Sequence, residues 1–408
     1  MARNRVIYQS EALFVNKQYS GGKTVDIVDH AWRMPAVGSK LLASGMFHQI
    51  HRVQSANYNF AINRTDVNQF GQLARIDSAV IEAPTVGLDF SYLITDGTNE
   101  DKLGISVDPA NTESAANCGA ISGLLANSSG RNYHILTVKE GTDANESDST
   151  ATASLAGSQT AATSTVISIG NGFITNYSVN GAVGSLPTAS VSVEGLNITA
   201  ATAAAGLATP ALDPDAGTEG TATFTLPTPR TGEVGKILRP GDMTVKFLGS
   251  DPSLITQLTD GSTNGAHIQN FSMDLPLGRS VIQRLGNAFG FAREVDFPVT
   301  VSMSISAVVA DLKAGILFDE LYDTDKHDIA VLMNKPTAGG SSVGSNNGQI
   351  AYILRNATLE SESFSSSIGD NKSVDMTFTA TVGGASDTVN GLFISGTQCG
   401  LESVRTEA

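Results

Sequence analysis

Four groups of residues have the types and spacing that chemistry uses. Gly340-Ser341-Ser342-Val343-Gly344 fits G-x-S-x-G, the nucleophile elbow of hydrolases. An elbow needs a strand before its serine and a helix after it. Here a Gly/Ser loop over 339–348 flanks the motif on both sides, so a chance match is the expected reading. Asp323-x-Asp325-x-His327-Asp328 and Asp213-x-Asp215-x-Gly217 resemble fragments of calcium loops. Neither combines glycine at the sixth position with the distant bidentate glutamate. Solvated turns are expected, with a weak cation site at the first as the alternative. His48 and His51 form the one close histidine pair. Their spacing would suit a metal on a helix, but the stretch leads into a strand and so splits them across two faces. The sequence contains no Walker A loop, dinucleotide fingerprint, zinc spacing or convincing triad. The expectation is a protein that is not an enzyme and holds no cofactor or metal.

A different kind of chemistry sits on alternating strands. With Tyr58, Phe60 and Ile62 turned to a core, the opposite face carries Ser55, Asn57, Asn59, Ala61 and Asn63. The next strand adds Thr85, Gly87, Asp89 and Ser91 opposite Val86, Leu88, Phe90 and Tyr92. Further on, Asn270, Ser272 and Asp274 are followed by Glu294, Asp296, Thr300, Ser302 and Ser304. Apart from Ala61 and Gly87 these side chains are polar or acidic, with no Lys or Arg. Ordinary solvated sheet faces mix in positive charge, so its exclusion points to a selected surface.

The elements that position these residues are strands, with one helix in each half. Strands are expected at 12–15, 49–64, 78–93, 133–139, 166–179 and 189–198. A second series follows at 268–275, 292–307, 328–333, 350–364 and 374–382. Helices are expected at 114–126 and 310–322, the latter with Leu312, Ile316, Leu317 and Leu321 on one stripe. Residues 18–45 read as an extended loop and 141–165 as a mobile surface loop. The 200–235 stretch reads as a linker, with a short strand over 221–226. The two series resemble each other. Asn59-Phe60 recurs as Asn270-Phe271, 211 positions on, and Val86 to Tyr92 as Val299 to Ile305, 213 on. Tyr177 to Val193 recurs as Glu362 to Phe378, 185 on. The fold class is therefore α+β, mainly β: two tandem copies of a β-sandwich/hairpin domain, 1–199 and 236–408, joined by 200–235.

Composition narrows the function further. The 408 residues carry a net charge of −15, and only 16% are charged, with 41 glycines. Tight nucleic-acid binding needs clustered Lys and Arg, and the sequence has no such cluster. One Trp and 6% aromatics give little to a carbohydrate-binding surface. Residues 1–16 lack the apolar core of a signal peptide, and no run has the ~18 to 20 apolar residues of a membrane helix. Cys118 and Cys399 fall in different copies and are expected to stay reduced.

Polar-faced hairpin strands, a sandwich behind them and acidic character together resemble the tail tube proteins of long-tailed bacteriophages. The runs Asn4-Arg5-Val6-Ile7-Tyr8-Gln9-Ser10-Glu11-Ala12-Leu13 and Pro84-Thr85-Val86-Gly87-Leu88-Asp89-Phe90-Ser91-Tyr92 are similar to phage virion proteins. The resemblance implies hairpins that close an intersubunit β-barrel around a DNA channel. It implies trimeric rings of pseudo-sixfold symmetry for a duplicated chain, stacked with one another and joined to other tail proteins. Asn57, Asn59, Asn63, Asp89, Asn270, Asp274, Glu294 and Asp296 would line the lumen, past which DNA moves without tight binding. The N-terminal arm or the 18–45 loop would bridge rings. The protein would be made in the bacterial cytoplasm, reside in the virion tail and need no membrane. A baseplate or head-decoration protein is the alternative.

Overall fold

The structure is a computed structural model. It describes residues 11–17, 48–81, 84–108, 119–125, 130–137, 144, 165–195, 197–202, 207–209, 222–224, 238–248, 267–282, 285, 292–308, 326–334, 348–366 and 371–396. Alternating apolar runs become strands because successive side chains point to opposite faces, one buried and one wet. The first half contains β1 (Glu11–Lys17), β2 (His48–Gln49), β3 (Val53–Ala61), β4 (Arg64–Val67), β5 (Asp77–Val80) and β6 (Thr85–Leu93). After these come α1 (Thr98–Leu103), a 3-10 turn (Ala120–Gly123), β7 (Arg131–Thr137), β8 (Thr165–Ala182), β9 (Thr188–Gly195) and β10 (Asn197–Thr202). A small antiparallel pair, β11 (Leu207–Thr209) and β12 (Ala222–Phe224), lies between the halves in sequence. The second half contains β13 (Met243–Leu248), β14 (His267–Pro276), β15 (Arg279–Ile282), β16 (Ala292–Val295) and β17 (Thr300–Val308). It ends with β18 (His327–Asn334), β19 (Gly348–Ser365), β20 (Ser373–Thr381) and β21 (Gly391–Gly396).

The fold is mainly β. Eight antiparallel strands make a front sheet in the order β3-β6-β9-β8-β14-β17-β20-β19. The 18-residue strands β8 and β19 each serve two layers. Their second parts lie in the front sheet. Their first parts run in back layers, one with β10, β7, β1 and β2 and the other with β21, β18 and β13. The core fills the space between, where Phe90 of the front sheet and Tyr133 of the back layer stand 6.2 Å apart. The core is continuous through both halves, from Leu13 and Phe90 to Phe378 and Ile394.

The pairing pattern of the first half recurs in the second. β1:β7, β7:β8, β8:β9, β9:β6, β6:β3, β8:β10 and β4:β5 have counterparts β13:β18, β18:β19, β19:β20, β20:β17, β17:β14, β19:β21 and β15:β16. The irregularities recur as well. Register shifts fall at Gln54 and Gln269, at Thr175 and Glu360, and at Asn132 and Asp328. The pairing also fixes the correspondence. It sets Val191 against Met376, 185 positions on, as the sequence match has it. For the hairpins it sets Phe90 against Ile305 and Asn57 against Ser272, 215 positions on rather than 213 or 211. A two-residue alternation matches equally well after any even shift, so only cross-strand partners can choose the register.

Other expectations change too. The alternating stretch 292–307 is two strands, β16 and β17, in different sheets. Likewise 78–93 divides into β5 and β6. β10 extends to Thr202, past the expected end of the first unit at 199, because it completes the back layer beside β8. Within 114–126, Ala120–Gly123 is a 3-10 turn. The expected helix at 310–322 lies outside the described residues, as do residues 18–45, most of 141–165, the G-x-S-x-G run, Asp213, Asp323, Cys118 and Cys399. The one α-helix described, α1, was not legible as a helix. It carries Asn99, Glu100, Asp101 and Lys102, all buried. Asn99 exchanges two hydrogen bonds with the backbone of His51, and Lys102 Nζ donates to Gln49 O at 2.7 Å.

Candidate functional site

The front sheet has one apolar face against the core and one polar face. Directly opposed residues share a face, so the pairing can be followed strand by strand. One row runs Ser55, Ser91, Ser190, Ser178, Asp274, Ser302, Thr379 and Thr358 across all eight strands. A second runs Asn180, Ser272, Ser304, Thr377 and Ser361. A third joins Asn57, Asp89, Ser192 and Asn176. Hydroxyls meet along these rows, as at Ser55–Ser91 (2.7 Å) and Ser304–Thr377 (3.2 Å).

Positive charge is nearly absent from these strands. The eight contain no Lys and one Arg, Arg355, which sits in the back-layer part of β19 and donates to Thr388 O. The polar face carries Asp89, Asp274, Asp375 and Glu194. Among the described residues Arg293 of β16 reaches it, paired with Glu194 at 2.8 Å, and Arg279 stands over the ring of Phe173, the residue opposite Glu194. Such a surface is wetted by hydroxyls and amides, and its own strands offer phosphates no cation.

The expected site residues divide into two groups. Asn57, Asn59, Asp89, Asn270 and Asp274 all lie on the polar face, and Asn59 Oδ1 accepts the Gly87 N–H at 2.9 Å. Asn63 sits in the exposed link between β3 and β4. Glu294 lies on β16, in a separate two-stranded extension, and Asp296 follows it, accepting from Ser280 Oγ at 2.7 Å. These three are exposed but outside the eight-stranded sheet, because the chain leaves it after Ala61 to return at Thr85, and leaves it again after Pro276 to return at Thr300. The long strands and their neighbours β9 and β20 contribute a share the sequence reading missed: Asn176, Ser178, Asn180, Ser190 and Ser192, with Ser361, Ser363, Asp375, Thr377 and Thr379. The same alternation marks them in the sequence, interrupted by the shifts at Thr175 and Glu360.

Tyr58, Phe60 and Ile62 depart from expectation. Tyr58 and Phe60 lie on the apolar side of β3 and Ile62 just after it, yet they are 43%, 45% and 41% exposed. β3 is the outermost strand of the front sheet; its first part packs on the core through Val53 and Ala56, and these three residues lie beyond that contact.

The described residues among the candidates for catalytic or metal chemistry are placed as follows. Among the described residues no group of three His, Cys, Asp or Glu is placed to hold a metal. His48 packs in β2, where burial, then Lys102 and Arg131, hold its pKa at about 4, while His51 lies in the following turn. Asp328, from the calcium-like run, accepts the Asn356 N–H at 2.9 Å, and His327 packs edge-on against Phe378. A cleft beside Lys326, Asn356, Thr358 and Asn390 contains no carboxylate and no nucleophile–base pair. Among the described residues no helix is long and apolar enough to cross a membrane. No protein-family model matches the chain, and no curated protein matches it either.

Proposed function

We propose that this chain is the structural subunit of a bacteriophage tail tube. It is a duplicated unit, three copies of which close a ring around a DNA conduit, and the rings stack. The observation that carries this reading is the front sheet: eight strands, a continuous polar face without Lys or Arg of its own, and, among the described residues, open edges at both ends. Rolling such a sheet with its polar face inward puts hydroxyls and carboxylates on a lumen and leaves both back layers outside. It also removes the exposed edges, which would otherwise recruit other strands.

The dimensions agree. Eight strands from each of three chains give a barrel of about 24 strands, roughly 45 to 50 Å across its backbone at ordinary spacing and tilt. Side chains reduce this to about 35 to 40 Å, wide enough for duplex DNA. A net charge of −15 fits a wall past which a polyanion slides.

Electron microscopy of the purified protein, with mass measurement, tests the reading. Stacked rings with an open lumen and three chains per ring are expected. Six chains per ring would overturn the trimeric arrangement. Isolated oligomers without a lumen would overturn the tube and favour a baseplate or head-decoration role.

A further inference from the structure

In the front sheet the two halves meet at one seam, β8 against β14. The outer edge of β14 pairs antiparallel with β8, setting Ser272 opposite Asn180, Met273 opposite Val179, Asp274 opposite Ser178 and Leu275 opposite Tyr177. The seam continues at both ends, where Leu277 N donates to Thr175 O at 2.8 Å and Val183 N to Gln269 O at 2.9 Å. It buries Met273, Leu275 and Leu277 almost completely, at 2%, 0% and 0% exposure.

Each partner in this seam has a counterpart left open. By the recurrent pairing, β3 stands where β14 stands, and β19 where β8 stands. β3 pairs only with β6, and residues 358–365 of β19 pair only with β20, among the described residues. The counterparts of Met273, Leu275 and Leu277 are Tyr58, Phe60 and Ile62, the same three apolar side chains that stand in solvent. On the other open edge, Glu362 takes the place of Tyr177. Both its carboxylate oxygens are shielded from water and find no hydrogen-bond partner among the described residues.

A second contact repeats the asymmetry. Arg279, at the start of β15, crosses the internal seam: its Nε donates to Ile174 O at 3.1 Å and its guanidinium lies 5.1 Å from the centre of the Phe173 ring. Arg64 holds the same place in β4, opposite Val80 as Arg279 is opposite Val295, and it is exposed.

We propose that the occupant of both open edges is a second copy of this chain, and that the joint repeats the internal seam residue for residue. β3 of one copy adds antiparallel to β19 of its neighbour, with Asn57 opposite the partner's Ser365, Tyr58 opposite the partner's Phe364, and Asn59 opposite the partner's Ser363. Phe60 falls opposite the partner's Glu362, and Arg64 reaches toward the partner's Leu359 carbonyl. The ring then consists of alternating covalent and non-covalent joints of one geometry. The proposal rests on the self-assembly in the tube reading and adds to it a specific register.

Cross-linking tests the register directly. The backbone bonds at Leu277 and Val183 make Asp274–Ser178 a non-hydrogen-bonded pair, so Asn59 and the partner's Ser363 are one too. Such pairs bring Cα atoms to about 4.5 Å, within disulfide reach. Asn59→Cys with Ser363→Cys, in a background carrying Cys118→Ser and Cys399→Ser, should give covalent dimers and trimers on oxidation. The frame-shifted pair Asn59→Cys with Ser361→Cys should give at least about tenfold less, because its Cα atoms lie outside that reach. A mixture of the two single variants should yield only the mixed dimer. The same pairs in the native-cysteine background, with unfolding curves for each variant, show that the chains are folded. No cross-link from the matched pair, or equal yields from the shifted pair, overturns the register. If matched cross-links form while microscopy finds no lumen, the seam stands and the tube reading falls. If rings form and the matched pair stays uncross-linked, the tube reading stands and the seam falls.

Discussion

The hydroxyl oxygens of Tyr177 and Tyr352 lie 3.0 Å apart, joining the long strands of the two halves through one buried hydrogen bond. Glu100, from the short helix α1, completes the group. Its Oε1 accepts from Tyr92 at 2.8 Å and Tyr177 at 3.1 Å, and the Tyr352 oxygen is 3.4 Å from it. All four residues are buried. A buried polar group is worth little when satisfied but costs its full desolvation when a partner is lost. The cluster therefore fixes how the halves meet more than it adds stability.

Tyr352→Phe keeps the ring and deletes one hydroxyl. It should lower unfolding stability by about 1 to 2 kcal/mol. The double variant with Tyr177→Phe should lose less than the sum, since both changes act on one network. Urea unfolding midpoints for the three variants give the answer, and strict additivity would disprove a shared network.

Burial pushes the Glu100 carboxyl above its ordinary value of 4.5, while its own backbone N–H and the tyrosine hydroxyls pull it partly back. Its stabilising contribution is therefore complete below pH 4.5 and is lost as pH rises toward the raised value. His134, buried and 2.7 Å from Ser168 Oγ, has the opposite sign. Burial lowers its pKa to about 3, so its contribution is complete above pH 6.5 and is lost as pH falls. Each slope is at most about 1.4 kcal/mol per pH unit. Glu100→Gln should thus become progressively more stable relative to wild type as pH rises above 4.5. Unfolding midpoints from pH 4 to 8 check this, and a pH-independent difference would show that Glu100 ionises freely in the fold.

Leu275 and Phe60 occupy matching positions with opposite exposure, 0% and 45%. Leu275→Ala should cost about 2 to 5 kcal/mol in the unassembled chain, as for other buried leucines. Phe60→Ala should leave that chain within about 0.5 kcal/mol of wild type, as exposed positions do. Assembly should show the reverse selectivity, with Phe60→Ala raising the concentration needed to form rings. Unfolding curves on dissociated protein and sedimentation of assembled protein separate the two effects.

Asp89 and Asp274 stand on the polar face in the two halves. Asp89→Lys with Asp274→Lys should leave strand pairing intact, because both side chains point away from the core. Assembled tubes of the double variant should retain duplex DNA at low salt, and retention should fall with salt at a log–log slope of about −0.9 for each phosphate contact. Wild-type tubes should retain none under the same conditions. Filter retention across a salt series measures both, and identical retention by the two proteins would remove the conduit's electrostatic basis.

Local alternation determined a great deal. Tyr177–Val179–Val191–Val193 and Val301–Met303–Ile305 announce strands and their buried face, because period two is a property of the chain itself. The polar side of the hairpins and its lack of positive charge were equally legible, down to Asn57, Asp89 and Asp274. What the sequence could not contain was the choice of partner. The hairpin correspondence of 215 positions rather than 211 or 213, the separation of Glu294 and Asp296 from the main sheet, and the polar contribution of Ser178 and Thr379 all follow from cross-strand pairing. The burial of α1 escaped for a related reason. Asn99, Glu100 and Lys102 are residue types that ordinarily face solvent, and here the backbone of His51 and Gln49 and the hydroxyls of three tyrosines make their burial affordable. Tertiary structure decided too that Phe60 is exposed and Leu275 buried. Two similar strands differ here in their second edge: β14 has β8 beside it, and β3 has no second strand among the described residues.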